Sequence, residues 1–179
     1  MLVILGESAS GKSSVAQEIT KSYNMKKIVS YTTRMARKQE VDGIDYHFIS
    51  KEKFYEMNNS HCFVETAEYA GWYYGTQKKD CTDDKIHVVT PKCLRELKKY
   101  KDLNIVSFYL KVPRRDRLIK SLQRGDDIEE AYRRNISDVG MFDGLENEVD
   151  YVIYNTNYKK EVSEIAKDIV DIYYSHINK

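Results

Sequence analysis

Eight residues near the start of the chain, Gly6-Glu7-Ser8-Ala9-Ser10-Gly11-Lys12-Ser13, carry the spacing G-x-x-x-x-G-K-[ST]. Each fixed position has a chemical reason. Gly6 and Gly11 permit backbone angles that turn successive N–H groups inward, toward an anion. A helix that starts at the end of such a loop presents its positive N-terminal end to the same anion. Lys12 can reach the outer phosphates of a nucleoside triphosphate, and the Ser13 hydroxyl can ligate the Mg²⁺ that bridges them. The nucleotide-binding set is therefore Gly6, Ser8, Ser10, Gly11, Lys12, Ser13 and Ser14, with Ser13 as the metal ligand.

A second group of residues suits a second, smaller anion. Arg34 and Arg37 stand three apart in Ser30-Tyr31-Thr32-Thr33-Arg34-Met35-Ala36-Arg37. Guanidinium forks hold phosphate bidentately, although on spacing alone such a pair is more often solvated surface charge. Tyr46 and Tyr74 offer phenolic donors. Glu65 is a carboxylate inside an apolar and aromatic stretch, and an exposed edge-strand position would explain it equally well.

These residues need a scaffold, and the apolar pattern predicts one. Leu2–Leu5 reads as a buried parallel strand, followed by a helix over Ser13–Tyr23. Strands follow at Lys27–Tyr31, Ile86–Thr90, Asn104–Leu110 and Val149–Tyr154. Helices follow Pro91 and Pro113 (Arg114–Gln123), a charged helical stretch runs over Asp127–Leu145, and an amphipathic helix over Lys160–His176 closes the chain. Strands alternating with helices imply an α/β fold, a parallel sheet covered on both faces. Residues 32–84 break the rhythm with short alternating runs and read as a small mixed insert overhanging the strand C-termini, where ligands bind in such sheets.

The chain has 179 residues, with 29 basic against 28 acidic side chains. That length fits one domain with inserts. The near-neutral balance provides no global field toward nucleic acid or anionic membrane. Cys62, Cys81 and Cys93 match no zinc or redox spacing and read as reduced thiols. The opening apolar run is too short to span a bilayer, so a cytoplasmic protein is expected, as monomer or homodimer.

Taken together, the phosphate loop, S-x-T-T-R-x-x-R, Asp45-Tyr46-His47-Phe48, Tyr73-Tyr74-Gly75-Thr76, Arg124-Gly125 and Val152-Ile153-Tyr154-Asn155 resemble the guanylate kinase family nearly end to end. The resemblance implies a P-loop core over residues 1–31 and 85–179, with a helical lid near 117–145, and an acceptor-binding insert over 32–84. It implies ATP and Mg²⁺ as cofactors and GMP as acceptor, dGMP being left open. Ser30, Arg34, Arg37, Tyr46 and Tyr74 would hold the GMP phosphate. Glu65 would accept from guanine N1–H and the 2-amino group, and Thr76 would bond O6. Arg124, with Arg133 or Arg134, would cover the ATP phosphates, and Asn155 would lie near adenine. Lys12, Arg34, Arg124 and Arg134 form the catalytic set. Adenine lacks the N1 proton and the 2-amino group, so it would leave Glu65 unpaired.

The sequence also departs from that family. No D-x-D pair ends the strand near Ile86–Lys92, Ser121 stands where a lid arginine is expected, and Ala36 and Gln39 replace a common proline and glycine. Asp83 and Asp84 are acidic neighbours with no geometric claim. Two other readings stay open: a kinase of ribose bisphosphate-type or other phosphorylated acceptors, and a binding module without turnover.

Overall fold

The protein is described by a computed structural model, which covers residues 1–36, 40–69 and 71–178. Arg37 and Gln39 lie outside the described residues. Two sheets organise the chain. The first has five parallel strands: β1 Leu2–Leu5, β2 Lys26–Lys27, β7 Lys85–Val88, β8 Val106–Lys111 and β9 Tyr151–Tyr154, in the order β2-β7-β1-β8-β9. The second is mixed and has four strands: β3 Tyr31–Thr32, β4 His47–Phe48, β5 Phe63–Tyr69 and β6 Trp72–Gln77, in the order β4-β3-β6-β5.

Strand alternation builds both halves of the core. Along β1, Leu2 and Ile4 face one side and Met1, Val3 and Leu5 the other, all of them buried. On the first side lie helix α1 (Lys12–Ser22), through Val15, Ala16 and Ile19, and the closing helix α6 (Val162–Ile177), through Ile165, Ile169 and Tyr173. On the second side lies α3 (Pro91–Leu97), through Leu94 and Leu97. Thr90 caps α3, its hydroxyl accepting from the Cys93 N–H at 3.3 Å, and Pro91 occupies the first turn, where no N–H is needed. Glu161 and Glu164 form a capping box on α6. No helix among the described residues is long and apolar enough to cross a membrane.

Two segments differ from the sequence reading. The run Lys27–Tyr31 is not one strand. Lys26 and Lys27 pair with β7, while Tyr31 and Thr32 pair with β4 and β6 of the other sheet, so this stretch is the crossing between sheets. The charged stretch after Asp127 is helical only over α5, Ile128–Ser137. Gly140 and Gly144, at φ +77° and +74°, then turn the chain back. That return stacks Phe142 on Tyr109, with ring centres 6.0 Å apart, and buries Leu145.

The second sheet carries an unforeseen helix, α2, Lys51–Asn59, capped by Ser50. Its one buried side chain, Phe54, stacks on Phe63 and Tyr73 at 4.8 and 5.5 Å. Gly75 is a packing requirement: a Cβ there would come within 2.9 Å of the Phe63 ring.

Candidate active site

The loop after β1 is a preformed anion cradle. Ala9 and Gly11 take left-handed angles (φ +62° and +93°), and the Ser10 N–H closes on the Glu7 carbonyl at 3.1 Å. A side chain at Gly6 would strike Ser10 Oγ at 2.4 Å and the Leu110 carbonyl at 2.9 Å, so only glycine fits there. Lys12 Nζ donates to the Glu7 carbonyl at 3.0 Å. Burial holds the Lys12 ammonium below its usual range, opposed by the carboxylates of Asp138 and Glu7. Ser10 Oγ and Glu7 Oε2 are buried without a hydrogen-bond partner.

Across from this loop stand two arginines. Ser8, Lys12, Ser13 and Ser14 share a cleft of about 180 Å³ with Arg124 and Arg134. Arg124 follows helix α4 (Arg114–Gln123), and Arg134 lies on α5. Each side chain rests on a neighbouring carboxylate: Arg124 on Asp126, Arg134 on Glu130 at 2.7 Å, and Arg133 on Glu130 at 2.7 Å. The two guanidiniums hold the Glu130 carboxyl down at about 2. These pairs are half-exposed and therefore weak. A phosphate can take the carboxylate's place at little cost.

A second cleft of about 170 Å³ adjoins the loop, bordered by Ser10, Lys120, Arg124, Asn155, Tyr158 and Val162. Asn155 is buried, and its amide is spent on Lys160, donating to the carbonyl at 3.2 Å and accepting from the N–H at 3.0 Å. It shapes the wall. Tyr158 ties that wall to the loop by donating to the Ala9 carbonyl at 2.6 Å.

Arg117, which motif reading passed over, ties the phosphate loop to α4 and to Asp138 at the end of α5. It is 4% exposed on α4. It donates to the carbonyls of Val112 and Ser8 at 3.1 and 3.2 Å and pairs with Glu7 at 3.5 Å and Asp138 at 3.6 Å. Asp138, just past α5, also accepts from the Ser8 N–H at 2.7 Å. The arginine sits in an ordinary-looking charged run, so only its helical face distinguishes it. A cavity of about 410 Å³ lies beside it, and several of its charges pair with each other: Arg117 with Glu7 and Asp138, and Lys111 with Glu146.

The second sheet and its loops gather the residues expected to meet the acceptor. The two threonines before Arg34 set its backbone: Thr32 Oγ1 accepts from the Arg34 N–H at 3.1 Å, and Thr33 Oγ1 from the Tyr73 N–H at 3.0 Å. The Arg34 guanidinium lies 5.5 Å from the Tyr46 ring centre and 5.8 Å from that of Phe48. It pairs with Glu40 at 2.7 Å, another carboxylate where a phosphate could sit. Tyr74 contributes to holding that guanidinium charged, and its ring is 5.9 Å from that of Tyr46.

Glu65 is not an exposed edge residue. Burial raises its carboxyl above the usual range, partly offset by the Thr76 hydroxyl, which donates to Oε1 at 2.6 Å. Thr76 is fully buried and also lies 3.1 Å from Ser30 Oγ and 3.2 Å from His87 Nε2. A hydroxyl has one proton and two lone pairs. The shortest contact, to the carboxylate, takes the proton, so Ser30 and His87 both donate to Thr76. His87 is thus the Nε2–H tautomer, and burial pushes its pKa down to about 4.

The end of β7 explains how the missing acidic pair is tolerated structurally. Val89 is buried and its N–H bonds the Ile4 carbonyl at 3.1 Å, while Thr90 caps α3. Asp83 and Asp84 do not substitute for it. They precede β7, at the far end of the strand, where Asp83 binds the Met1 ammonium at 2.9 Å and Asp84 accepts from the Thr82 hydroxyl. Ser121 is buried in α4.

A guanylate kinase family model matches residues 1–172. A guanylate kinase of Bartonella henselae is 29% identical over 172 residues, covering 92% of this chain and 78% of that protein. One from Clostridioides difficile is 31% identical over 186 residues, covering 100% and 89%. Among solved structures, a guanylate kinase of Anaplasma phagocytophilum superposes with a TM-score of 0.70 at 26% identity, over 98% of this chain and 85% of that one. An uncharacterised protein of Eubacterium ventriosum, at 15% identity and TM-score 0.57, shares the fold.

Proposed function

The chain belongs to the guanylate kinase family, and from that premise we propose how its residues divide the work. Its reaction is ATP-dependent phosphorylation of GMP to GDP. The observation that carries the residue assignment is the pairing of two preformed ends. At one end, the cradle of Gly6, Ser8, Ser10, Gly11, Lys12, Ser13 and Ser14 faces Arg124 and Arg134. At the other, Ser30, Arg34, Tyr46, Glu65, Tyr74 and Thr76 share one small sheet and its adjoining loops.

The loop N–H groups and Lys12 hold the triphosphate. Arg34 and Arg37 take the GMP phosphate, with Ser30, Tyr46 and Tyr74 supporting them. A GMP phosphate oxygen attacks the γ-phosphorus in line. It is already anionic at neutral pH, so no general base is needed, and catalysis is positioning plus charge neutralisation. Arg124 and Arg134 leave Asp126 and Glu130 for the transferring phosphoryl group, where charge accumulates. Glu65 accepts from guanine N1–H and the 2-amino group, which frees the Thr76 proton for O6. Asn155 acts on the adenine side by shaping the wall.

Ser13 would offer Mg²⁺ one hard hydroxyl oxygen, the remaining ligands of such an ion being phosphate oxygens and water. When bound with ATP it neutralises the β- and γ-phosphate oxygens. We assign residues 1–31 and 85–179 to the core, 117–145 to the lid and 32–84 to the acceptor unit, which close on each other around both nucleotides. The cytoplasmic placement is proposed on the same footing, and the unpaired thiols Cys62, Cys81 and Cys93 agree with a reducing compartment. The other-acceptor and binding-module readings are not favoured. A sugar bisphosphate has no use for a buried Glu65 aimed at Thr76, and every fixed position of the phosphate loop is intact.

Incubating the protein with ATP, Mg²⁺ and each nucleoside monophosphate in turn tests the assignment. GDP should form from GMP, with little diphosphate from AMP, CMP or UMP. Equal turnover of AMP would overturn base reading by Glu65.

A further inference from the structure

We propose that Glu65, His87 and Cys93 form a binding site for a borderline divalent cation, with Zn²⁺ the best match to the donors. The three come from three separate elements, β5, β7 and α3. Their carboxylate oxygen, imidazole nitrogen and thiol sulfur all lie within 4.8 Å of one another. Tetrahedral zinc, with bonds of about 2.0–2.3 Å, needs ligand atoms roughly 3.3–3.6 Å apart. An inward movement of about an ångström therefore closes the site, within the reach of side-chain rotation. His87 and Cys93 are 7% and 8% exposed. Hydrogen bonds already hold the three together: the Thr76 hydroxyl lies between Glu65 and His87, and the Cys93 thiol bonds Glu65.

The donor set selects the ion. One sulfur, one nitrogen and one oxygen suit zinc, and the thiolate argues against Mg²⁺ or Ca²⁺. The His87 ring needs only to move its proton from Nε2 to Nδ1 to offer a lone pair. Binding displaces the Cys93 thiol proton to solvent and leaves a sulfur–zinc bond, with no change in oxidation state. Of the three, Glu65 also borders a cleft of about 280 Å³ beside Lys92 and Glu96.

One consequence rests on the reading of Glu65 as the guanine acceptor. A carboxylate with one oxygen on zinc cannot take both guanine N1–H and the 2-amino group as a free one can, so Zn²⁺ and GMP should weaken each other's binding.

The test is a Co²⁺ titration of the full nucleotide-free chain, read by sulfur-to-cobalt charge-transfer absorption. The wild-type chain should develop the band at one equivalent, and Zn²⁺ should abolish it. Cys93→Ser should lose it, Cys62→Ser should keep it, and His87→Gln should weaken Co²⁺ binding at least tenfold, with circular dichroism confirming that each variant is folded. A wild-type chain without the band overturns the site whatever the variants do, and so does a band that persists in Cys93→Ser. If the band forms and GMP fails to weaken Co²⁺ binding, the metal site stands and the assignment of Glu65 to guanine falls.

Discussion

Replacing Arg117 with Met keeps the aliphatic stem in its pocket and removes the guanidinium. The structure sets the scale of the loss. Two donated bonds disappear, to Val112 and Ser8, and two carboxylates lose their partner, Glu7 and Asp138, whose side chains are only 14% and 13% exposed. The ion-pair distances of 3.5 and 3.6 Å are long, so direct attraction is the smaller part. The larger part is the cost of leaving buried charge unpaired, about 3–5 kcal/mol when one partner of a buried pair is removed. For a chain of this size each kcal/mol is worth about 2–4 °C, so Tm should fall by roughly 6–20 °C. Because Asp138 also accepts from the Ser8 N–H, the phosphate loop should loosen, and the rise in Tm caused by saturating ATP should shrink as well. Far-UV circular dichroism melts of both proteins, with and without ATP and Mg²⁺, measure both effects. Asp138→Asn should behave as an intermediate, since Arg117 keeps Glu7 and both carbonyls. An Arg117→Met protein that melts within about 2 °C of wild type and gains as much from ATP refutes the claim that this arginine braces the loop.

Glu65→Gln should replace an acceptor with a donor facing guanine. Losing one hydrogen bond to a charged group, at about 1.5–3 kcal/mol, lowers kcat/KM for GMP by roughly 10–10²-fold, while ATP affinity measured by calorimetry stays unchanged. Arg124→Ala and Arg134→Ala should each lower kcat by about 10²-fold with little change in KM for GMP, as expected for groups that act on the transferring phosphoryl; a pure KM effect would remove them from the lid role. His87 has a folded pKa of about 4 against its ordinary 6.5, through burial first and Lys27 second. The unfolded chain therefore binds the extra proton first, and stability should drop as pH falls from about 6.5 toward 4, by about 3 kcal/mol from this residue. Glu65, raised by burial, works in the opposite direction, losing stability as pH rises through its own range. Urea melts at pH 7 and pH 5 should show the fall in wild type and a flatter profile in His87→Gln; identical profiles would remove His87 as the cause.

Much of the fold was legible because local rules and tertiary context agree. The run Leu2–Leu5, the glycine loop and the helix after it are a strand, a loop and a helix by residue type alone, and Arg114–Gln123 is found with the same bounds. Helix α2 was missed because a single buried residue, Phe54, is all that holds it to the sheet, which leaves no apolar stripe to read. The Lys27–Tyr31 run misled because strand propensity does not say which sheet a strand joins; that depends on where the chain crosses over. The Asp127–Leu145 stretch was overextended because burial of Phe142 and Leu145 outweighed continued helix.

The site divides in the same way. Its chemistry was determined by the sequence: phosphate loops and arginine forks work through residue types at short spacing, and short spacing survives folding. The positions that depend on residues far apart in the chain were decided only by tertiary structure. Arg117 reaches Glu7 across 110 residues, and the proton order at Thr76 depends on Ser30, Glu65 and His87 arriving from three strands or strand ends. No spacing rule encodes such meetings, because side-chain protonation and charge balance answer to distance in space, and that distance is set by how the two sheets pack.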